Sequence, residues 1–308
     1  KSLPWWAIGT SLIAANISAE QFIGMSGSGF AVGLAISSYE WMAAITLIIV
    51  GKYFLPIFIE KGIYTIPEFV EKRFSTNLKT ILAVFWVALY VFVNITSVLY
   101  LGALAMNTIM GVDMMWAIIG LSLFAAAYSI YGGLASIAWT DAIQVVFLVF
   151  GGLATTYLAL QMVSDHFGGD GVMSGLNHLM TKAPEHFHMI LNKDNANYPS
   201  LPGLTVLIGG MWIINLNYWG CNQYITQRAL GADLPTARNG ILFAAFLKML
   251  MPIIVVLPGI AAYLLHKDGM FQQEMLKDGV INQDSAYPVL LNLLTAGLKG
   301  LSFAALTA

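Results

Sequence analysis

Long apolar runs recur along the chain, and their lengths suit helices that cross a membrane. About 20 apolar residues in an α-helix span the hydrocarbon core of a bilayer. The pattern predicts seven complete spans and the start of an eighth near Gly297. The predicted complete spans are 5–30, 33–58, 79–109, 114–131, 138–163, 201–227 and 239–265.

The first span is polar in its middle. A carboxylate near the bilayer centre costs about 2.5–3.5 kcal/mol on insertion scales, so such residues face a cavity or a partner. The small, polar run at 14–18 also favours a break in the helix, where freed carbonyls can bind a cation. The alternative is a kinked helix whose polar groups pair with neighbouring helices. The polar positions are Asn16, Ser18, Glu20 and Gln21.

The sixth span repeats this design. Asn215, Tyr218 and Asn222 are spaced to share one helical face, and the glycines at 209–210 and 220 are weak points. Two interrupted spans, five apart, are typical of transporters built from two inverted repeats, with substrate and ion between the broken helices. The predicted fold is therefore an all-α integral membrane protein, an inverted five-helix repeat transporter with broken first and sixth helices.

The spans divide the chain into three parts. Residues 1–163 form a first repeat of five transmembrane helices, and 164–200 an extracellular loop. Residues 201–308 begin the second repeat with two complete helices and a truncated third. We interpret the chain as a fragment of a longer protein, because it stops within an apolar run. Basic residues in the loops after the second and sixth spans predict that those loops are cytoplasmic, so the first span runs outward.

The composition supports a membrane protein. Only 10% of residues are charged and the mean hydropathy is +0.75, whereas a soluble domain carries about 25% charged residues. The net charge of −2, without basic clusters, argues against a nucleic-acid partner. A single cysteine, Cys221, excludes a disulfide framework. We expect a multi-pass protein of the inner (plasma) membrane in contact with lipid, and a homo-oligomer is left open.

Three further ionisable residues lie in or beside the spans. Glu40 and Lys248 could pair with each other or bind a polyhydroxylated ligand, and the alternative for Lys248 is to extend to the interface. Asp141 opens the predicted fifth span, either as a carboxylate near the helix N-terminus or along an ion exit path. In the external loop, His186 and His188 could bind a metal, although exposed loop histidines are common. No catalytic set is evident, so the sequence does not indicate an enzyme.

Four stretches closely resemble one family over essentially the whole chain. They are residues 14–22, 39–42, 131–134 with 139–141, and 215–228, and they resemble the sodium:solute symporter family. The resemblance implies a sodium-coupled symporter for a sugar of galactose or glucose type, working by alternating access with Na⁺ as the coupling ion. Alternatives on the same fold are a symporter of an amino acid, a carboxylate or a polyol, or an uncoupled channel or sensor.

The resemblance also implies roles for individual residues. The implied sugar ligands are Gln21, Glu40, Asn215 and Lys248, with Tyr218 stacking on the sugar as inner gate. The implied gate and supporting residues are Asn16, which braces Tyr218, together with Met25, Tyr39 and Trp219. Sodium is implied to bind the backbone carbonyls of Ala14 and Ile17, and Asp141 corresponds to a position near its exit.

The sequence departs from the galactose-transporting members of the family at two positions near the implied site. Ala43 stands where they have a serine that binds sugar, so one hydroxyl contact is missing. Asn217 replaces an aromatic residue next to the gate. The sugar preference is therefore open.

Overall fold

A computed structural model describes residues 3–17, 20–277 and 279–307, without the side chains of 20, 128–129, 131–138, 224, 301 and 304–307. Ser18 and the side chain of Glu20, two polar positions of the first span, thus lie outside the described residues. In the first part of the chain, the α-helices are α1 Trp5–Asn16, α2 Met25–Val32, α3 Ser38–Ile49, α4 Leu55–Glu60, α5 Ile66–Arg73, α6 Thr76–Leu89 and α7 Thr96–Met110. They are followed by α8 Met114–His166, α9 Gly171–Lys182, α10 Gly203–Thr205, α11 Met211–Leu216, α12 Gln223–Leu230, α13 Leu234–Lys267, α14 Ala286–Leu291 and α15 Ala296–Thr307.

Short π-helical and 3₁₀ turns join several of these helices into longer ones. The π-helical turns are Glu20–Gly24, Val50–Phe54, Tyr90–Ile95, Val206–Gly210 and Asn217–Cys221. The 3₁₀ turns are Leu34–Ser37, Pro184–Phe187 and Gln283–Ser285. The strands described are β1 Leu276–Lys277 and β2 Val280–Ile281, which pair antiparallel as a small hairpin.

Four helical stretches in the described residues are long and apolar enough to cross a membrane. They are Leu34–Glu60, Thr76–Met110, Trp139–His166 and Leu234–Lys267, and they correspond to the predicted second, third, fifth and seventh spans. The first and sixth predicted spans are each divided into shorter helical pieces. The predicted start of an eighth helix near Gly297 coincides with α15.

The predicted break between the fourth and fifth spans, at 132–137, is wrong. Helix α8 runs through it without interruption for 53 residues. Glycines weaken a helix by about 1 kcal/mol each, but the stretch has no proline to remove a backbone hydrogen bond. The two halves of α8 have different neighbours: Leu121 lies beside Gly102 of α7, whereas Thr156 donates a hydrogen bond at 3.0 Å to the carbonyl of Ile253 in α13.

Helix α13 packs against both halves of the first span through small residues. A Cβ on Gly9 would lie 2.7 Å from the carbonyl oxygen of Gly240, and a Cβ on Gly259 would lie 2.1 Å from that of Ser26. Small residues let transmembrane helices approach this closely. Gly29 of α2 meets Val256 in the same way, so the glycine-rich stretch at 24–29 is a helix-packing surface.

Candidate functional site

Both predicted helix breaks are confirmed. The first helix ends at Asn16, and Ile17 leaves the helical conformation with φ −83° and ψ 77°. The second break is at Asn222, whose backbone is extended at φ −79° and ψ 123°, two residues after Gly220. Because both breaks expose backbone polar groups inside the protein, polar side chains are needed around them.

A chain of hydrogen bonds connects five of the predicted site residues. Gln21 donates through Nε2 to Oε1 of Glu40 at 2.6 Å. Lys248 donates through Nζ to Oε2 of Glu40 at 2.7 Å, and also to Oδ1 of Asn16. Asn16 in turn donates through Nδ2 to the hydroxyl of Tyr218 at 3.1 Å. We call these five side chains the central polar chain; it links the first broken helix, α3, the sixth span and α13.

The ion pair at the centre of this chain is buried. The side chain of Lys248 is 1% exposed and that of Glu40 is 4% exposed, so Lys248 does not extend to the interface. Its ammonium group also lies 5.4 Å from the ring centre of Trp219. A buried charge that loses its partner costs several kcal/mol, which is why these two residues are found together.

The remaining predicted ligand and gate residues lie around the central polar chain with separate contacts. Asn215 is buried, and its Nδ2 donates to the carbonyl of Met211 within its own helix at 3.0 Å. Met25 accepts a hydrogen bond from Gln21 on its sulfur at 3.3 Å. Tyr39 instead packs against another apolar cluster, which contains Met211. The ring of Tyr218 meets that of Trp219 edge-on at 5.1 Å.

The single helical face expected for the sixth span is not formed as predicted. The π-helical turn Asn217–Cys221 shifts the register, and the extended backbone at Asn222 then turns its side chain towards α6 and α7. Tyr90, in the turn that joins those helices, donates its hydroxyl to Oδ1 of Asn222 at 2.7 Å. Sequence spacing gave no indication of this contact.

The implied sodium carbonyls lie at the end of α1. Ala14 and Ile17 are both buried, and the N–H of Ile17 makes the last helical hydrogen bond described there, to Ile13 at 2.7 Å. The N–H groups that would follow belong to residues 18 and 19, outside the described residues. A helix end of this kind can present hard oxygen ligands to a cation.

Asp141 lies far inside α8, so the interpretation as a carboxylate at a helix N-terminus is wrong. Its Oδ2 accepts hydrogen bonds from Oγ of Ser11 at 2.6 Å and from Nη2 of Arg228 at 3.1 Å. Sequence reasoning did not predict either partner. The sequence did contain a clue to the Arg228 partner. A carboxylate within an apolar run needs a cation nearby, and Arg228 directly follows the predicted sixth span.

Chemically, the site can bind a neutral molecule rich in hydroxyls. The central polar chain offers amide, carboxylate, ammonium and phenol groups beside aromatic rings, and these groups satisfy one another in this structure. A ligand would exchange these internal hydrogen bonds for its own. Among the residues described, no three His, Cys, Asp or Glu side chains are grouped to hold a metal ion.

Two helix breaks around a buried polar site are typical of membrane transporters with broken helices. The family model for the sodium:solute symporter family matches residues 1–308, and the chain belongs to that family. The chain is 61% identical over its full length to the sodium/glucose cotransporter of Vibrio parahaemolyticus. It is 34% identical, over 99% of its length, to the human sodium/myo-inositol cotransporter 2.

The fold agrees with that of a solved symporter. A Na⁺-coupled sialic acid symporter, solved in a substrate-bound outward-open state, superposes with a TM-score of 0.82 and 22% identity over 99% of this chain. The predicted transporter fold is confirmed. The chain spans 58% of the Vibrio cotransporter, 47% of the human one and 62% of the solved symporter.

Proposed function

We propose that the protein is a sodium-coupled symporter for a sugar of galactose or glucose type that works by alternating access in the inner membrane. The observation that carries the proposal is the central polar chain between two broken helices. Neutral sugars need several donors and acceptors in one place, and an aromatic ring that can stack on the sugar face. Gln21, Glu40, Lys248 and Asn215 supply the polar groups, and Tyr218 supplies the ring.

Sodium binds at the end of the first broken helix in this proposal. The carbonyls of Ala14 and Ile17 provide oxygen ligands, and Asp141 lies on the exit path. One Na⁺ crossing 100 mV releases about 2.3 kcal/mol, and a tenfold gradient adds about 1.4 kcal/mol. Together they support a sugar gradient of about 500-fold at one-to-one coupling.

The second candidate is a cyclic polyol as cargo. It is favoured by the similarity to a sodium/myo-inositol cotransporter and by the apolar Ala43 beside the site, which removes one hydroxyl contact. The coupling ion and the transport cycle are the same in both candidates.

The test is uptake of labelled galactose, glucose and myo-inositol into liposomes that contain the full-length protein. An inward sodium gradient should drive accumulation of one of them, and potassium in its place should not. Gln21→Ala should weaken sugar binding by about 1–3 kcal/mol, because a polar group of the bound sugar loses its hydrogen-bond partner. Ile213→Ala, at an exposed position on the sixth span, is the matched control and should transport normally.

Failure of all three solutes to accumulate, with folded protein, would remove both candidates. Uptake that does not depend on the sodium gradient would instead support an uncoupled channel. Wild-type affinity in Gln21→Ala would show that the sugar binds elsewhere.

A further inference from the structure

Ser11, Asp141 and Arg228 form a closed triangle of hydrogen bonds inside the protein. Ser11 donates to Oδ2 of Asp141 at 2.6 Å, and Arg228 donates to Oγ of Ser11 through Nε at 2.7 Å. Arg228 also donates to the same Oδ2 through Nη2 at 3.1 Å. Ser11 is fully buried, and the side chains of Asp141 and Arg228 are only 11% and 14% exposed. A single carboxylate oxygen of Asp141 therefore accepts hydrogen bonds from both Ser11 and Arg228.

The triangle lies beside the proposed sodium site. Ser11 is one helical turn before Ala14, about 4.5 Å along the axis of α1. Because α1 is predicted to run outward from the cytoplasm, Ser11 lies on the cytoplasmic side of Ala14. Arg228 lies in α12, just beyond the break at Asn222. The triangle thus joins the two broken helices through α8, on the path between the sodium carbonyls and the cytoplasm.

We propose that Arg228 is a built-in cation that competes with sodium for Asp141 and thereby keeps the sodium exit path closed. The inference rests on the proposed function, because it assigns a residue to the release step of sodium. A sodium ion that moves from Ala14 towards the cytoplasm meets a carboxylate whose Oδ2 is already bound to the guanidinium. Two cations beside one oxygen repel each other, so sodium and Arg228 compete for Oδ2 of Asp141.

The contact between Arg228 and Ser11 makes this competition part of the transport cycle. Ser11 belongs to the same helix as Ala14, and Ile17 directly follows that helix, so a movement of α1 relative to α12 separates the guanidinium from Asp141. The cytoplasmic side then opens in the same movement in which Arg228 separates from the carboxylate of Asp141. A purely structural ion pair predicts something different: removal of either member would weaken the protein in the same direction.

The test measures binding of radioactive sodium to the full-length protein, together with the sodium dependence of sugar uptake. Arg228→Gln should lower the half-saturating sodium concentration about fivefold or more, because Asp141 becomes available to sodium. Asp141→Asn should raise it, because the positive charge of Arg228 then faces the ion without the negative charge of Asp141. The double variant, which has neither charge, should lie between the two.

Arg238→Gln is the matched control. Arg238 lies in the next helix and donates to the carbonyl of Gly51 at 3.1 Å, away from Asp141, so its loss should leave sodium binding unchanged. An unchanged or raised half-saturating concentration in folded Arg228→Gln protein would overturn the competition. If that variant does not fold, Arg228→Met, which keeps a long side chain without its charge, decides: a concentration below the wild-type value supports the proposal, and one at or above it refutes it.

Sodium binding and uptake by the wild-type protein distinguish failure of this inference from failure of the proposed function. Absence of sodium binding to wild type would contradict the proposed symporter. Suppose instead that wild type shows normal sodium-driven uptake, and that Arg228→Gln, Asp141→Asn and the double variant all shift the half-saturating sodium concentration in the same direction. That result would contradict the role of Arg228 but not the proposed symporter.

Discussion

Lys248 donates a hydrogen bond to Asn16, a residue 232 positions earlier in the chain. The same ammonium group is paired with Glu40, and the same amide donates to Tyr218. A ligand that draws Lys248 towards itself therefore also changes the support of the Tyr218 ring. This connection links occupation of the site to the residue that is proposed as its inner gate.

The buried pair of Lys248 and Glu40 leads to a prediction about stability. Lys248→Met should destabilise the folded protein by about 3–5 kcal/mol, because it leaves a buried carboxylate without its cation. Adding Glu40→Gln should restore much of the loss, since the double variant buries no charge. Thermal unfolding in detergent measures both. A double variant as unstable as the sum of the single ones would show that the pair is not coupled.

The bond between Asn16 and Tyr218 predicts faster release of sugar when it is removed. Asn16→Ala removes this bond to the phenol, and a neutral hydrogen bond contributes about 1 kcal/mol, or about fivefold in rate. Tyr218→Phe removes the same bond from the other side and keeps the ring. If the bond is what holds the gate, the double variant should release labelled sugar no faster than either single one, whereas additive effects would indicate independent roles.

Ala43 predicts a change of sugar preference. It is buried one helical turn after Glu40, so a serine there would place a hydroxyl beside the carboxylate. Ala43→Ser should raise the preference for galactose over glucose about fivefold, the value of one added hydrogen bond. Competition between the two labelled sugars measures the ratio. Ala43→Cys, of similar size but a weak donor, is the control, and an unchanged ranking in Ala43→Ser would count against this position as a sugar contact.

His186 predicts that docking of the external loop depends on pH. Its Nε2 bonds to the carbonyl of Phe30 at 2.9 Å, and its ring stacks on Tyr263 with ring centres 3.8 Å apart. Burial lowers the pKa of His186, although the bond to Phe30 and the charge of Glu185 partly oppose the shift. Lys267 also faces this group and lowers the pKa, while His266 contacts Phe30 nearby.

Because the pKa of His186 is lower in the docked state, docking is favoured above the ordinary value of 6.5 and weakens as pH falls below it. Protection of residues 184–200 against hydrogen exchange, corrected for the intrinsic exchange rate at each pH, should therefore be lower at pH 5.5 than at pH 7.5. His186→Phe keeps the stack and should abolish most of this difference. His188→Phe, at an exposed neighbouring position, is the control and should keep the difference.

The sequence alone predicted which segments are apolar enough to cross the membrane and where two of them break. Apolar runs of sufficient length must form helices in lipid, because the backbone has no water to satisfy it. Polar groups within those runs, such as Asn16, Glu40 and Lys248, must have partners for the same reason. The resemblance to a family then assigned roles to them.

Only the tertiary structure decided which partners these groups have. Asp141 pairs with Arg228 and Ser11, His186 is buried under Tyr263, and α8 continues where a break was predicted. Each of these outcomes depends on contacts between helices that are far apart in sequence or on the packing of neighbouring helices. The local sequence shows how polar each position is. The free energy of a buried charge depends instead on which groups surround it in the folded protein.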